Sequence, residues 1–355
     1  MPAVDVLGYS HRHCLRRTLL CLLTSGLFVV GFSEPLEADP KPEQLVIATW
    51  NLEWFFDDNQ SDNRSDLAKQ QSAPSRTAWE WKRDSVAQVI AEIKPDLIAL
   101  QEIENRKVLE HLCRQLDKAH KLKYRIAFIE GRDTYTEQDV AILYRSGLVS
   151  YSRHEQTSEM FTSKEYYNLS KHLSAQFTWG QGKDAEHLAI MNVHFRASAR
   201  SANLRRRQAR LAHTWIEPWL RSGKHVIVTG DFNSDQPAGD PDPTRTIALV
   251  CGRASTDPDD DLFDLHTQLA PDARRTHLIP QKQFDRILIS RSLAASDSPS
   301  KGKLTFHSIQ TFPELVTQGE ADPVSGHWEK YYEIPASERD ISDHYPVVAT
   351  FKLSQ

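Results

Sequence analysis

Asn51, Glu102, His194, the pair Asp231 and Asn233, and the pair Asp343 and His344 are the residues through which this chain can do chemistry. Each stands at the end of an apolar run of strand length, in the segments Thr49-Trp50-Asn51-Leu52-Glu53, Gln101-Glu102, Asn192-Val193-His194, Gly230-Asp231-Phe232-Asn233 and Ser342-Asp343-His344. Amides donate to phosphate oxygens, carboxylates hold a hard cation, and an imidazole titrates near neutrality and carries protons. Gathered at one edge of a sheet, these groups would seat a divalent cation beside a phosphate, the arrangement of a metal-dependent phosphoesterase.

No one of them is decisive alone. Glu102 follows the run Leu97-Ile98-Ala99-Leu100, so its carboxylate should emerge at a strand's carboxyl end, where α/β sheets place ligands; by itself it is equally a surface acid. Asn51 either donates to a phosphate or closes a turn, and Glu53, two residues on, points the same way as a further carboxylate. Asp231 and Asn233 project to one side of an extended chain, so one can orient or deprotonate a water while the other donates to phosphate. The same pair would also serve as an Asx turn before a helix. Asp343 and His344 suit ligand and proton-carrier roles, and Asp285, at the start of another apolar strand, is placed to hold that imidazole. His194 ends a strand; it and His344 stand out of 15 histidines only through their neighbours.

The elements that must position these groups are legible as apolar runs at Leu45 to Trp50, Leu97 to Leu100, Val140 to Tyr144, Leu188 to Phe195, Val226 to Thr229, Arg286 to Ile289 and Val347 to Phe351. Several are continuous rather than alternating, which suits strands buried between layers. Val86, Val89, Ile90 and Ile93 recur at helical spacing, and Lys94-Pro95 ends that helix. A second helix spans 203–220, with Leu204, Leu211, Ala212, Trp215 and Trp219 on its apolar side. Strands alternating with helices mean an α/β protein. The polar stretches 57–77, 257–261 and 314–339 read as surface loops or insertions. The last carries His327, Trp328, Tyr331 and Tyr332, which either line a substrate groove or pin the loop to the body. There is no internal repeat, no GxGxxG and no Walker-type phosphate loop.

Arg12, Arg16 and Arg17 precede the uncharged run from Thr18 to Phe32. That run falls short of the roughly 20 residues a membrane span needs, so residues 1–33 are expected to be a signal peptide, residues 34–43 a linker and residues 44–355 one domain. Export implies a secreted or periplasmic protein with no stable membrane association. Removing three Arg and one Asp takes the formal charge from −5 to −7, so bulk attraction to polyanions is excluded and any nucleic-acid contact needs a local basic patch. Of four cysteines, only Cys113 and Cys251 survive that cleavage; two unpaired core thiols are expected.

In order and spacing, these segments resemble the endonuclease/exonuclease/phosphatase superfamily, which includes pancreatic-type deoxyribonucleases, exonuclease III, apurinic endonucleases, sphingomyelinases and inositol polyphosphate phosphatases. The resemblance covers about residues 44–353. It implies a deoxyribonuclease I-like four-layer sandwich of two packed mixed β-sheets flanked by helices. It further implies Glu102 as the main metal ligand, with Asn51 and Asp343 near metal or phosphate; Glu53, from its position alone, is expected to add a carboxylate behind the metal ligands. Asp231 would orient the attacking water, Asn233 would bind phosphate, and His194 and His344 would handle protons. Each histidine would have a carboxylate partner: Asp285 for His344, and Glu130, in Phe128-Ile129-Glu130-Gly131, for His194. Many relatives carry an Arg before the strand leading to His194; here Lys171 is the nearest cation, a point charge instead of a bidentate fork. The implied cofactor is Mg²⁺, with Mn²⁺ or Ca²⁺ as alternatives, and the implied reaction is in-line attack of water on a phosphodiester.

Substrate class rests on Arg196, Arg200, Arg205, Arg206, Arg207 and Arg210, which crowd the stretch after His194. They would track a phosphate backbone, with Arg196 nearest the centre, or form a solvated helix face. Contacts of that kind carry no sequence information, so the expectation is a monomeric exported nuclease acting on DNA, or RNA, with little sequence preference. A sphingomyelinase-like enzyme would use the same centre with an exposed aromatic loop. A binding protein that has lost catalysis would lack one or more of the principal residues, and none is missing here.

Overall fold

The computed structural model describes residues 39–294 and 303–353; the expected signal peptide and residues 34–38 of the linker lie outside them. Every apolar run read as a strand is one. Among the described residues the first sheet is built from β1 (Gln44–Phe55), β2 (Leu97–Ile103), β3 (Arg125–Phe128), β4 (Asp139–Tyr144), β11 (Leu304–Thr311) and β12 (Val347–Leu353), in the order β11-β12-β1-β2-β4-β3. The second holds β5 (Leu148–Ser152), β6 (His172–Trp179), β7 (Glu186–His194), β8 (His225–Asp231), β9 (Leu262–Asp264) and β10 (Asp285–Ser290), in the order β5-β6-β7-β8-β10-β9. The helices are α1 (Asp66–Gln71), α2 (Arg76–Ile93), α3 (Arg106–His120), α4 (Ser158–Thr162), α5 (Ala202–Arg221), α6 (Thr246–Val250) and α7 (Val324–Lys330).

Alternation along the strands sorts side chains into layers. Leu45 and Ile47 of β1 face Leu188 and Ile190 of β7 and Ile287 of β10 in the core between the sheets. Ala48 and Trp50 face outward onto Val86 and Ile90 of α2 and Leu109 and Leu112 of α3. On the far side Met191, Val193 and Val228 pack on Leu211, Ala212 and Trp215 of α5. This is the expected four-layer α/β sandwich. Cys113 packs on one outer layer and Cys251 in the other, both as free thiols, so the layers themselves keep them apart.

Two parallel pairs decide where function goes. β1 pairs with β2, and β7 with β8; the other pairings are antiparallel. Helix α2 links the first pair and α5 the second, so each unit is a βαβ crossover. The carboxyl ends of β1, β2, β7 and β8 carry Asn51, Glu102, His194 and Asp231. β10 runs antiparallel to β8 with Asp285 opposite Asp231, and His344 precedes β12, which runs antiparallel to β1. All six groups therefore converge on one edge of the sandwich.

The sheets are joined inside by polar groups. Gln101 Nε2 donates to Asn192 Oδ1 at 2.7 Å and Thr49 Oγ1 at 3.1 Å, while Asn192 Nδ2 donates to the carbonyls of Leu100 and Ala141 at 2.9 Å. Buried amides left unpaired cost about 1–3 kcal/mol each, so this network fixes how one sheet sits on the other just beneath the convergence point.

Candidate active site

Local backbone irregularity aims the acidic side chains. The β1–β2 ladder shifts register between Asn51 and Phe55, and the β2–β4 ladder shifts between Gln101 and Ile103. Within those bulges Glu53, Trp54 and Glu102 adopt φ of 47°, 46° and 62°, the left-handed region that costs a non-glycine residue roughly 1–3 kcal/mol. Asn233 does the same at φ 49°. Gly230, at φ 129°, is required where it stands, since a Cβ there would lie 2.0 Å from the Val193 carbonyl oxygen.

Asp231 is the hub. Its Oδ2 accepts from Asn51 Nδ2 at 3.1 Å and Asn233 Nδ2 at 3.0 Å, and Oδ1 accepts from the Asn233 backbone N–H at 2.7 Å. The same Oδ2 lies 3.4 Å from His194 Nε2 and 3.8 Å from His344 Nε2. Asn51 also donates to Glu102 Oε1 at 3.2 Å, and the Trp54 N–H donates to Glu102 Oε2 at 2.9 Å. The structure thus gathers Asn51, Glu102, His194, Asp231, Asn233, Asp285, Asp343 and His344 in one place.

The two imidazoles differ. His344 Nδ1 is 2.8 Å from Asp285 Oδ2, as expected, and its Nε2 lies 3.8 Å from both Asp231 and Asp343. Burial lowers the His344 pKa, but Asp285, Asp343 and Asp231 together raise it well above the ordinary value, so the ring is cationic at neutral pH. His194 is pushed the other way, first by burial and then by Lys171 and His344, and is neutral. Asp231 is raised by burial and by Asp285 against the opposing pull of His344.

Four of the expected site residues make contacts that bear on their roles. Glu130 is exposed at the end of β3, and His194 Nδ1 has no hydrogen-bond partner among the described residues; Asp139 catches the Gly131 N–H and turns the chain away. Glu53 is fully engaged, accepting from the Asp343 N–H at 3.0 Å and facing His327 Nε2 at 2.8 and 2.9 Å, so it braces the site instead of ligating. Asn51 Oδ1 accepts from the Glu53 N–H at 2.9 Å, and its amide nitrogen faces Glu102 and Asp231 at the centre. Lys171 is tied to Thr136 and Gln138 at 2.8 Å and to Asp133 at 3.2 Å, which takes its ammonium off phosphate duty.

The arginine cluster also divides. Arg196 is exposed beside the site, whereas Arg205 is buried and donates to the carbonyls of Arg196 and Ser198 at 3.0 and 2.6 Å, and Arg207 stacks over Tyr167.

Glu102 and Asp343 are the acids that could hold a cation. Burial and then the charge of Asp343 raise the Glu102 pKa, the signature of two desolvated acids close enough to repel. Burial opposes ionisation of Asp343, but His344, His277 and His327 hold its pKa well below the usual range. Asp343 Oδ2 accepts from Trp328 Nε1 at 2.8 Å and lies 3.5 Å from His277 Nε2. An all-oxygen pair with one acid so braced fits Mg²⁺ and similar hard cations.

His277 was missed from sequence. It reaches the site because residues 276–278 pair with residues 343–345, the N–H of Leu278 donating to Asp343 O at 2.7 Å and that of Tyr345 to Thr276 O at 2.9 Å; its ring meets His344 edge-on at 4.5 Å. Its place beside the strand that begins with Asp285 was the one available signal.

A family model described as the endonuclease/exonuclease/phosphatase family matches residues 48–344. Among solved structures the chain is similar to an endonuclease/exonuclease/phosphatase from Bacteroides vulgatus, with 16% identity over 88% of this chain and 100% of that one and a TM-score of 0.54. It is similar to a D. rerio TDP2 humanized by 14 mutations, with 18% identity over 87% and 99% and a TM-score of 0.53. It is also similar to D. rerio TDP2 complexed with a single-strand DNA product, with 16% identity over 87% and 99% and a TM-score of 0.50. At these identities the likeness is one of fold. No curated protein sequence matches.

Proposed function

The chain belongs to the endonuclease/exonuclease/phosphatase family, and from that premise we propose that it is an exported, Mg²⁺-dependent phosphodiesterase that cleaves nucleic acid with little sequence preference, as a monomer. The observation that carries the reading is the hub: one carboxylate oxygen of Asp231 within 3.8 Å of two differently charged imidazoles and bonded to two amides.

Asp231, its pKa raised yet accepting from Asn51 and Asn233, orients a water and draws off its proton as the water attacks phosphorus. Asn51 and Asn233, whose amide N–H groups bond Glu102, Asp231 and the Phe195 carbonyl in the free protein, are the donors placed to turn toward nonbridging oxygens when a phosphate enters. Cationic His344, fixed by Asp285, donates toward the charge that builds on the leaving side, while neutral His194 accepts or returns a proton through Nε2. Glu102 and Asp343 would hold the divalent cation, which when bound offsets charge on the phosphoryl oxygens. Nothing here needs a covalent enzyme intermediate.

Nucleic acid is favoured by Arg196 and Arg200, exposed just beyond β7, and by the DNA product held by the similar D. rerio protein. Export rests on the sequence of residues 1–33. Trp328, 45% exposed, supports the lipid alternative. The deciding assay offers the mature protein plasmid DNA, RNA, sphingomyelin and a phosphomonoester with Mg²⁺. Degradation of DNA or RNA is expected and should weaken steeply with salt; release of choline phosphate with nucleic acid untouched would move the enzyme to the lipid branch.

A further inference from the structure

Beside the metal acids lies a cleft of about 480 Å³, within the range of small-ligand sites, walled by Trp54, Trp328 and Tyr332 with Gln70 and Gln71 at its rim. Two bonds tie its walls to the reaction centre. The Trp54 backbone N–H donates to Glu102, and the Trp328 indole N–H donates to Asp343. The mechanism uses none of these side chains.

The geometry points to a stacking subsite that takes the nucleobase flanking the scissile phosphate. This rests on the nuclease reading above. Trp328 is the largest exposed aromatic beside the site, with its ring tilted against His277 at 6.0 Å and 45% of its surface open. A half-exposed indole anchored by its N–H is pre-oriented, and ring stacking on it costs little side-chain entropy. The ionic lining disfavours the backbone as occupant: Glu53 is already paired with His327 and Glu329 and Glu333 outnumber Lys330, so a phosphate meets net negative charge whereas a neutral planar ring does not. Amides and carboxylates at the rim match the donors and acceptors on base edges. An acyl chain would instead meet glutamine and glutamate.

The anchor is carried by the 314–339 segment, which is itself pinned. His327 Nδ1 faces Asp322 at 3.1 Å while its Nε2 faces Glu53, and Lys82 donates to Tyr331 Oη at 2.9 Å. The floor of the cleft is therefore rigid, as a stacking platform requires.

The test uses the mature protein and an oligodeoxynucleotide with one natural phosphodiester among phosphorothioate linkages, with the base on either side of it present or replaced by an abasic residue. Removing the base on one side should lower kcat/KM roughly 5- to 150-fold in the wild type. Trp328→Ala should collapse that ratio toward one, and Trp328→Phe should keep it while weakening Mg²⁺ binding by calorimetry, because the ring survives and the N–H to Asp343 does not. Trp54→Leu gives an independent reading of the opposite wall and should also reduce the ratio. Equal rates with and without either base, or a ratio untouched by Trp328→Ala, would overturn the subsite and leave the nuclease reading standing. Cleavage of no oligonucleotide at all would overturn both.

Discussion

His344 and His194 flank one carboxylate, Asp231, and are built in opposite ways. His344 comes from the first sheet's side and reaches across to Asp285 of the second; three acids surround it and hold it charged. His194 ends a strand of the second sheet, has no partner on Nδ1 among the described residues, and is held neutral by burial and nearby cations. Two identical side chains thus take unlike charge states because one has a carboxylate on its far nitrogen and the other does not. Pairs whose pKa values are driven apart are how one site supplies acid and base at one pH.

The largest test of that contrast is removal of the charged member. His344→Ala should lower kcat/KM by about 10²–10⁴-fold with the far-UV spectrum of the wild type; because it leaves the buried Asp285 unpaired, the melting temperature should fall, so the activity comparison is made well below it. Glu102→Ala should be as damaging and should abolish Mg²⁺ binding by calorimetry. Retention of activity by both variants would remove the chemistry from this edge of the sandwich.

The next is to discharge the partner. Asp285→Asn keeps the shape but drops a negative charge, so the His344 pKa falls. Wild-type activity should decline at acid pH, where Asp231 takes up a proton, and again at alkaline pH, where His344 finally loses one; in the variant the alkaline limb should move to lower pH, with a loss on the order of 10²-fold at neutrality. An unmoved limb would show that Asp285 does not set the charge of His344.

A third imidazole extends the series. His327 has a carboxylate on each nitrogen, Glu53 and Asp322; burial lowers its pKa, yet Glu53 above all lifts it to about 9. Because the folded value lies above the unfolded one, the stabilisation is complete below about pH 6.5 and disappears as pH rises through about 9, at no more than about 1.4 kcal/mol per unit. Denaturant melts of the wild type should weaken across that window, and those of His327→Gln should weaken less, the remaining slope coming from His344.

What the sequence reveals follows the same physics. All seven apolar runs are strands because those segments lie inside the sheets, covered on both faces. The four edge strands β3, β5, β9 and β11 escape such a reading: they are short or half-exposed, and β5 is open along most of its length. β6 is central but alternates, with Leu173, Ala175, Phe177 and Trp179 inward and polar residues between them, so no continuous run marks it. The site was legible where a residue type stood at a strand end, as at Glu102, Asp231 and His344. It was not where a role depends on which neighbour captures a side chain: Glu53 looks like a ligand until His327, 274 residues away, takes both its oxygens. Gln101 and Asn192 were read only as the flanks of Glu102 and His194, while their tie across the sheets needs the register of both.

The smallest expected effect is the sharpest on the asymmetry itself. Glu130→Ala removes an exposed carboxylate that touches neither histidine, so activity should stay within about two-fold of wild type, the range of an ordinary surface change. The pH profile should not move. Paired with Asp285→Asn, the measurement is a direct contrast of the two imidazoles, one losing a bonded partner and the other a distant acid. Were Glu130→Ala to cost as much as Asp285→Asn, His194 would be carboxylate-held during turnover, the two rings would be equivalent, and the division into a charged and a neutral histidine would fail.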